Sequence, residues 1–560
     1  MLYTAFDRFS NWNPQLFREL KERLTVRNVG ITVAASLLGQ FIVWLGFFGT
    51  LPSESSPGQT QYCLQETGQG KCLQDAAGNY LIDWVEWWQD MFFAESTIVI
   101  FISIGVGTYM LINNLNREER RGTLDFLRLT PRSTATILTG KMLGVPILLY
   151  LFLACALPFH IFSGLSAQIS LGWILVFYLI LIGGCCFFYS AAHLFSLLGT
   201  SGSLQAWLGG GLAIASLWLL NWSLPDGSYF IRNNISDGFS WFSPSIVFPY
   251  LVPEVFDAKV TEDLADLQWF YLPLGSNSSL FVLFALANYG VWSYWIWQSI
   301  RRRFQQPSGT WLSKAQSYGL VLCFQLFWLG FTFQNQAKLY YVFYPNLFIL
   351  LLVNFILLLV LMVALSPHRQ TIQDWARYEM PSRYRGSMVR RFSRWQTWLL
   401  GEKSPAPVAI AINIGMTTLL LLLWIAIVTH GKYDMDKMIA GLVVFFAALL
   451  LVSYALIVQL CLLAKTPKRS FLAAAALAGV MVVPLLVLGI SGEQNSILWL
   501  FSLAPWEVLY YDVSIFTILG GLVGHFAAIA TLGWMLKRQL RLAGESQTKT
   551  LLAGNSSHRN

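Results

Sequence analysis

The chain has 560 residues, 55% of them hydrophobic and only 12% charged, with a formal net charge of +8. Soluble domains carry about a quarter charged residues and interrupt their apolar runs with polar faces, so these proportions exclude an ordinary water-soluble globule. What remains is an all-α, polytopic membrane protein, because a backbone in lipid must satisfy its amides within its own segment.

Residues 1–28 are charged and amphipathic, without the apolar core of a cleavable signal peptide. Asn13 is a good N-cap and Pro14 suits a first helical turn. Leu16, Phe17, Leu20 and Leu24 make one apolar stripe, and Arg18–Glu22 and Glu19–Arg23 are spaced to pair. The segment reads as an interfacial helix on the inner face of a bilayer, with a simple anchor as the plainer alternative.

About twelve spans follow, at 29–51, 95–115, 142–164, 169–198, 204–223, 278–300, 315–334, 343–366, 407–429, 439–464, 470–490 and 513–536. Each approaches the roughly 20 residues that cross a ~30 Å hydrocarbon layer, and 343–365, 439–464 and 470–490 hold no charge at all.

Between the first two spans, Cys63 and Cys72 face an oxidising exterior either as a disulfide or as two free thiols. Trp84, Trp87 and Trp88, like Trp499, Trp506, Tyr510 and Tyr511 before the last span, read as interface anchors. On this assignment Glu95 sits at the edge of the second span and no Asp, Glu, Lys or Arg lies inside any span. That argues against a proton-coupled carrier, a voltage sensor or an embedded acid–base enzyme. His160, His193 and His525 are scattered and form no relay or metal pattern. Gly140-Lys141 is followed by Met142 and lacks the earlier glycine of a phosphate loop, so no ATP site is expected in this chain.

The loop at 116–141 is the most specific element. Thr123 reads as a helix cap and Asp125 complements the dipole. Leu124, Phe126, Leu127 and Leu129 supply apolar bulk, and Pro131 ends the helix. Ser133 or Thr134 then caps a second helix running through Lys141 into the third span. A short stiff helix, charged on one side and apolar on the other, suits docking into a groove of a partner; a solvated loop is the alternative.

Charge sets the orientation. The N-terminus, 116–141, 300–314, 367–403, 465–469 and the tail from 537 together hold 31 of the 37 Lys and Arg. Positive charge is retained on the cytoplasmic side, so both termini are expected inside, and the basic balance reports topology rather than nucleic-acid binding.

Asn13-Pro14 with Arg18-Glu19-Leu20, and Glu119-Arg120-Arg121-Gly122-Thr123-Leu124-Asp125 with Thr130-Pro131 and Gly140-Lys141, resemble the permease subunits of type-2 ABC exporters over residues 13–303. The resemblance implies a six-span unit at 29–303, with 116–141 as its coupling loop. It also implies short re-entrant helices in an outer loop at 224–277, including Phe242-Ser243-Pro244 and Pro249-Tyr250-Leu251-Val252-Pro253, and a closing Arg301-Arg302-Arg303.

On this resemblance Arg117, Glu119, Arg120, Arg121, Gly122, Thr123, Leu124, Asp125, Phe126 and Leu127 contact a separate ABC ATPase subunit, which binds ATP and magnesium. The chain itself would hold no catalytic residue, metal or cofactor. An amphiphilic or lipid-like cargo, membrane lipid, a homo- or hetero-dimer of permease chains and a plasma membrane, bacterial inner membrane by preference, complete the expectation.

Residues 304–536 repeat the six-span plan without the motifs, and 537–560 form a polar cytoplasmic tail. The loop at 367–403 holds Asp374-Trp375-Ala376-Arg377-Tyr378, and Phe501-Ser502-Leu503-Ala504-Pro505 echoes Phe242-Ser243-Pro244. A divergent duplication fits, as does the triviality that twelve spans halve into six and six. The basic loop with Trp395 and Trp398 equally suits anionic headgroups. Two other functions stay open: a partner-independent carrier or scramblase, and a membrane enzyme acting on a lipid-linked substrate through Asp83, Glu86, Asp90 and Glu95.

Overall fold

A computed structural model describes residues 12–52, 62–64, 72–76, 78–199, 203–220, 234–253, 263–334, 339–379, 398–428, 434–491, 497–503, 505 and 514–544. Trp395, Trp506, Tyr510, Tyr511, the 390–394 cluster and the end of the tail lie outside these. The chain divides into two compact units, Met1–Pro307 and Ser308–Asn560.

In the first unit α1 (Pro14–Arg23) is capped by Asn13, whose side chain accepts from Gln15 N and Leu16 N. After it come α2 (Val26–Phe48), α3 (Trp84–Arg120), α4 (Thr123–Leu129), α5 (Thr134–Gly144), α6 (Ile147–Ser166), α7 (Leu171–Leu198), α8 (Ser203–Leu220) and α9 (Ser278–Gln305). α2 and α3 pack on α6, α8 packs on the second half of α3, and α9 lies along α7.

α3 begins eleven residues before the span read from the sequence, because Asp83 caps it by accepting from Val85 N and Glu86 N. A π-helical turn at Ile102–Val106 interrupts it, and Tyr189 Oη donates to Ser103 O at 2.7 Å beside that turn. Trp87 is not an interface anchor. It is buried, and its Nε1 donates to Phe47 O at 3.0 Å, tying the end of α2 to α3. Nor do α5 and the third span form one helix: they separate at Val145–Pro146, where proline has no N–H to continue the ladder.

Before α9 the chain makes three short turns, Asp237–Ser240, Pro244–Val247 and Phe248–Leu251, and one hairpin, β1 (Gln268–Trp269) against β2 (Leu272–Pro273). The turns are buried: Trp241 O accepts from Asn288 Nδ2 of α9 at 2.9 Å, and the Phe248 ring lies 5.0 Å from Phe93 of α3. Cys63 and Cys72 are joined as a disulfide, with Cα atoms 5.4 Å apart.

The second unit contains α10 (Lys314–Gly330), α11 (Leu339–Ala364), α12 (Arg369–Glu379), α13 (Pro407–Val428), α14 (Asp434–Leu462), α15 (Arg469–Ser491) and α16 (Ile515–Gly544). Its core gathers Val321, Leu358, Leu361, Ile410 and Tyr454, with Gln325 Nε2 donating to Thr417 Oγ1 at 3.0 Å inside it. The amphipathic α12 sets Ile372, Trp375 and Ala376 against Leu536 and Leu540 of α16. A 3-10 turn at Ile497–Phe501 precedes α16, as Pro244–Val247 precedes α9.

Ten helices of the described residues are long and apolar enough to cross a bilayer, five in each unit. The other two segments read as spans, α8 and α10, are helical but shorter in their apolar run, α10 having only 17 residues. The protein is a multi-pass, helical membrane protein.

Candidate functional site

The N-terminal helix is held by two glycines. A Cβ at Gly140 would come within 2.6 Å of Asn13 Oδ1 and 3.0 Å of the Leu16 backbone nitrogen, and one at Gly144 within 2.6 Å of Glu19 Cβ. Only bare backbone at these two positions, one turn apart on α5, lets α1 lie directly on it; small residues at such spacing are the usual means of close helix approach. Asn13 Nδ2 then donates to Thr136 O at 2.9 Å.

Between the glycines stands Lys141, its side chain wholly buried. Its Nζ lies 2.7 Å from Glu118 Oε2 and 3.6 Å from Glu19 Oε1, and donates to Asn114 Oδ1 at 2.9 Å. Glu118 also receives Arg18 at 2.6 Å, and Glu19 receives Arg23 at 3.2 Å and Gln15 at 3.1 Å. Burial pulls the Lys141 ammonium below the usual lysine range, and the carboxylates of Glu118 and Glu19 oppose that pull. One buried lysine thus ties α1 to the end of α3.

This corrects the reading of α1. Its covered face is Gln15, Leu16 and Glu19, whereas Phe17 and Leu20 are half-buried and Leu24 is exposed. The cause is the partner: α1 rests on a helix that offers charge, so its acid turns inward. Arg18 accordingly pairs with Glu118 rather than with Glu22.

α3 hands over to α4 through Gly122, whose φ of 69° lies in the left-handed region that a side chain disfavours. Gly122, and not Thr123, is the N-cap; Thr123 is the first helical residue and its Oγ1 donates back to Glu118 O at 3.1 Å. Leu124 points inward, 1% exposed, among Leu115, Ile137, Leu138, Leu197, Ile300 and Phe304. It therefore fixes α4 to the unit and is not a surface contact. Asp125 pairs with Arg128 at 2.6 Å, and the Arg128 guanidinium lies over the Phe304 ring.

The other face of α4 is bare. Phe126 is 72% and Leu129 85% exposed, beside exposed Arg117, Arg120 and Arg121, with Glu119 and Leu127 half-buried. Leu129 shares this face although the resemblance leaves it outside the ten contact residues it implies, and the buried pair of Glu118 and Lys141 lies beside the start of α4. The spacing Gly140-x-x-x-Gly144 was the available signal for that pair.

A second polar group lies inside the helices. The sequence placed Glu95 at a span edge and His160 alone, but α3 carries Glu95 well past its first turns and α6 brings His160 beside it. Ser163 Oγ donates to Glu95 Oε2 at 2.8 Å. His160 Nε2 meets Ser96 Oγ at 2.8 Å and its Nδ1 meets Tyr178 Oη at 2.7 Å. The other acids take separate partners, Asp83 as a cap and Asp90 accepting from Tyr62 at 2.7 Å. The missed signal was Asp83-x-x-Glu86, a helix start that carries Glu95 into the span.

The first unit of membrane-crossing helices thus carries a short amphipathic helix with an exposed apolar face, next to an N-terminal helix clamped on α5. Residues 17–304, half of the chain, match the ABC-2 family transporter proteins, and the protein belongs to that family. No curated protein and no solved structure matches it.

Proposed function

We propose that this permease is the membrane subunit of an ATP-driven exporter, and that α4 is where a separate ABC ATPase subunit docks. The carrying observation is the pair Phe126 and Leu129, large apolar side chains left in solvent on a helix whose opposite face is fixed by Leu124. Aromatic and arginine side chains are what protein interfaces use as anchors, and Arg117, Arg120 and Arg121 flank the pair. The lock of α1, α3 and α5 around Lys141 makes the support of α4 stiff, so a push on α4 reaches α3 and α6. The partner holds ATP and magnesium. Both termini lie in the cytoplasm, the membrane is the plasma membrane, a bacterial inner membrane by preference, and the cargo is an amphiphile. The second unit serves as a divergent companion to the first.

The test is purification of the tagged chain from its native membranes in mild detergent. A phosphate-loop ATPase is expected to come with the parent and to be lost, at least about tenfold, from the Phe126→Asp/Leu129→Asp variant. Both positions are exposed, so stability should move by no more than about 0.5 kcal/mol each. A parent chain that purifies alone from ATPase-containing membranes sinks the docking reading and favours a partner-independent carrier or scramblase.

A further inference from the structure

An ionisable side chain inside a membrane span is costly and marks function. Glu95 lies eleven residues past Trp84, about 16 Å along α3, and is 8% exposed. Ser163 serves its Oε2, while Oε1 has no protein partner among the described residues. Glu95 borders a cavity of about 210 Å³ lined also by Ser36, Gln40, Phe152 and His160.

The other polar groups there are spent as donors. Gln40 Nε2 donates to Ser36 O at 3.1 Å and to Cys155 O at 3.3 Å, which leaves only its carbonyl oxygen for a ligand. His160 is engaged on both ring nitrogens. The cavity therefore offers acceptors, one of them acidic, and matches a positively charged hydrogen-bond donor.

Beside it is a second cavity of about 370 Å³, bordered by Leu143, Tyr150, Leu157, Ile182 and Cys186 and overwhelmingly apolar. The two share Val99, Leu153 and Ala156 in their walls, and Tyr178 of the larger cavity is the residue that meets His160 of the smaller. Both cavities are mostly apolar, and the smaller holds one acidic side chain, Glu95, so two adjoining greasy chambers with a single acid in one of them suit an amphiphile.

We propose that these adjoining cavities are a cargo site for an amphiphile with a protonated amine head, the head bound by Glu95 and Gln40 and the alkyl tail in the larger cavity. This rests on the transport reading above and specifies its substrate class. No covalent step is involved; the site recognises charge and length.

The test is binding to the isolated chain in neutral phosphatidylcholine nanodiscs, with tritiated dodecylammonium, dodecanol and dodecanoate and empty discs as blank. The parent is expected to bind dodecylammonium at least about tenfold more tightly than dodecanol, the margin of a charge-assisted hydrogen bond, and dodecanoate least. Glu95→Gln should bring the amine-to-alcohol ratio to within about twofold. Ala156→Phe, at the wall common to both cavities, should weaken amine and alcohol alike. A parent without amine preference, a Glu95→Gln protein that keeps it, or unaltered binding in Ala156→Phe overturns the site. Should Glu95→Gln fail to yield monodisperse protein, parent selectivity and Ala156→Phe decide. An ATPase that fails to co-purify leaves these ratios untouched, and a ratio of one leaves co-purification untouched, so the two failures are separable.

Discussion

Lys141 has no exposed side-chain surface and faces two carboxylates, Glu118 and Glu19. Removing one partner of a buried ionic group costs about 3–5 kcal/mol, because the remaining charges are stranded, whereas replacing both sides together is far milder. Lys141→Met should therefore lower the unfolding temperature in detergent sharply. Glu118→Gln added to it should recover part of the loss, an interaction that a double-mutant cycle measures. If the two losses simply add, Lys141 and Glu118 are not coupled, and α1 is held through its other contacts, the Asn13–Thr136 bond and the close approach at Gly140 and Gly144 among them.

At the scale of elements, α4 depends on a chain reversal that only Gly122 makes without strain. Gly122→Ala is expected to cost about 1–2 kcal/mol, and so to raise amide hydrogen exchange over Thr123–Leu129 by roughly fivefold or more, with α5 protected as before. Unchanged exchange would mean that α4 is held wholly by Leu124. The sequence showed α4 well, since its acid, its apolar residues and Pro131 are local signals. It misassigned the cap because a left-handed backbone at Gly122 is a property of the joint between two helices. Glu95 and His160 were harder. Their meeting depends on α3 and α6 lying side by side, with Ser163 and Ser96 as go-betweens, and no spacing along one helix reveals that. The interior side of α1 was misread for a related reason: amphipathicity says which residues are apolar, not what the helix will lie on.

For the whole molecule, charge distribution and the positions of the disulfide and α4 make opposite demands on the two sides of the membrane. In a background lacking the free cysteines at 155, 185, 186, 323 and 461, Ser133→Cys should react with a membrane-impermeant maleimide only in inverted vesicles. Asn79→Cys, exposed near the Cys63–Cys72 loop, should react only from the outside of intact cells. The reverse pattern would turn the topology over and place α4 away from cytoplasmic ATP. The division at Pro307 carries its own expectation: a chain ending there should insert and yield a monodisperse protein, as a unit with its own core does.

The clamp around Lys141 also sets an order of events during synthesis. Arg18 meets Glu118 a hundred residues later, and Asn13 meets Thr136 across 123 positions. While the ribosome is still making the first two spans, α1 has none of these partners and its inward acid, Glu19, stays in water. Only after α5 has emerged, with α2 and α3 already threaded, can the N-terminal helix be captured. The clamp thus records that both spans of the first hairpin have crossed, and a nascent chain in which one of them failed to cross would leave Lys141 and Glu19 on opposite sides of the bilayer, open to recognition by membrane quality-control proteases.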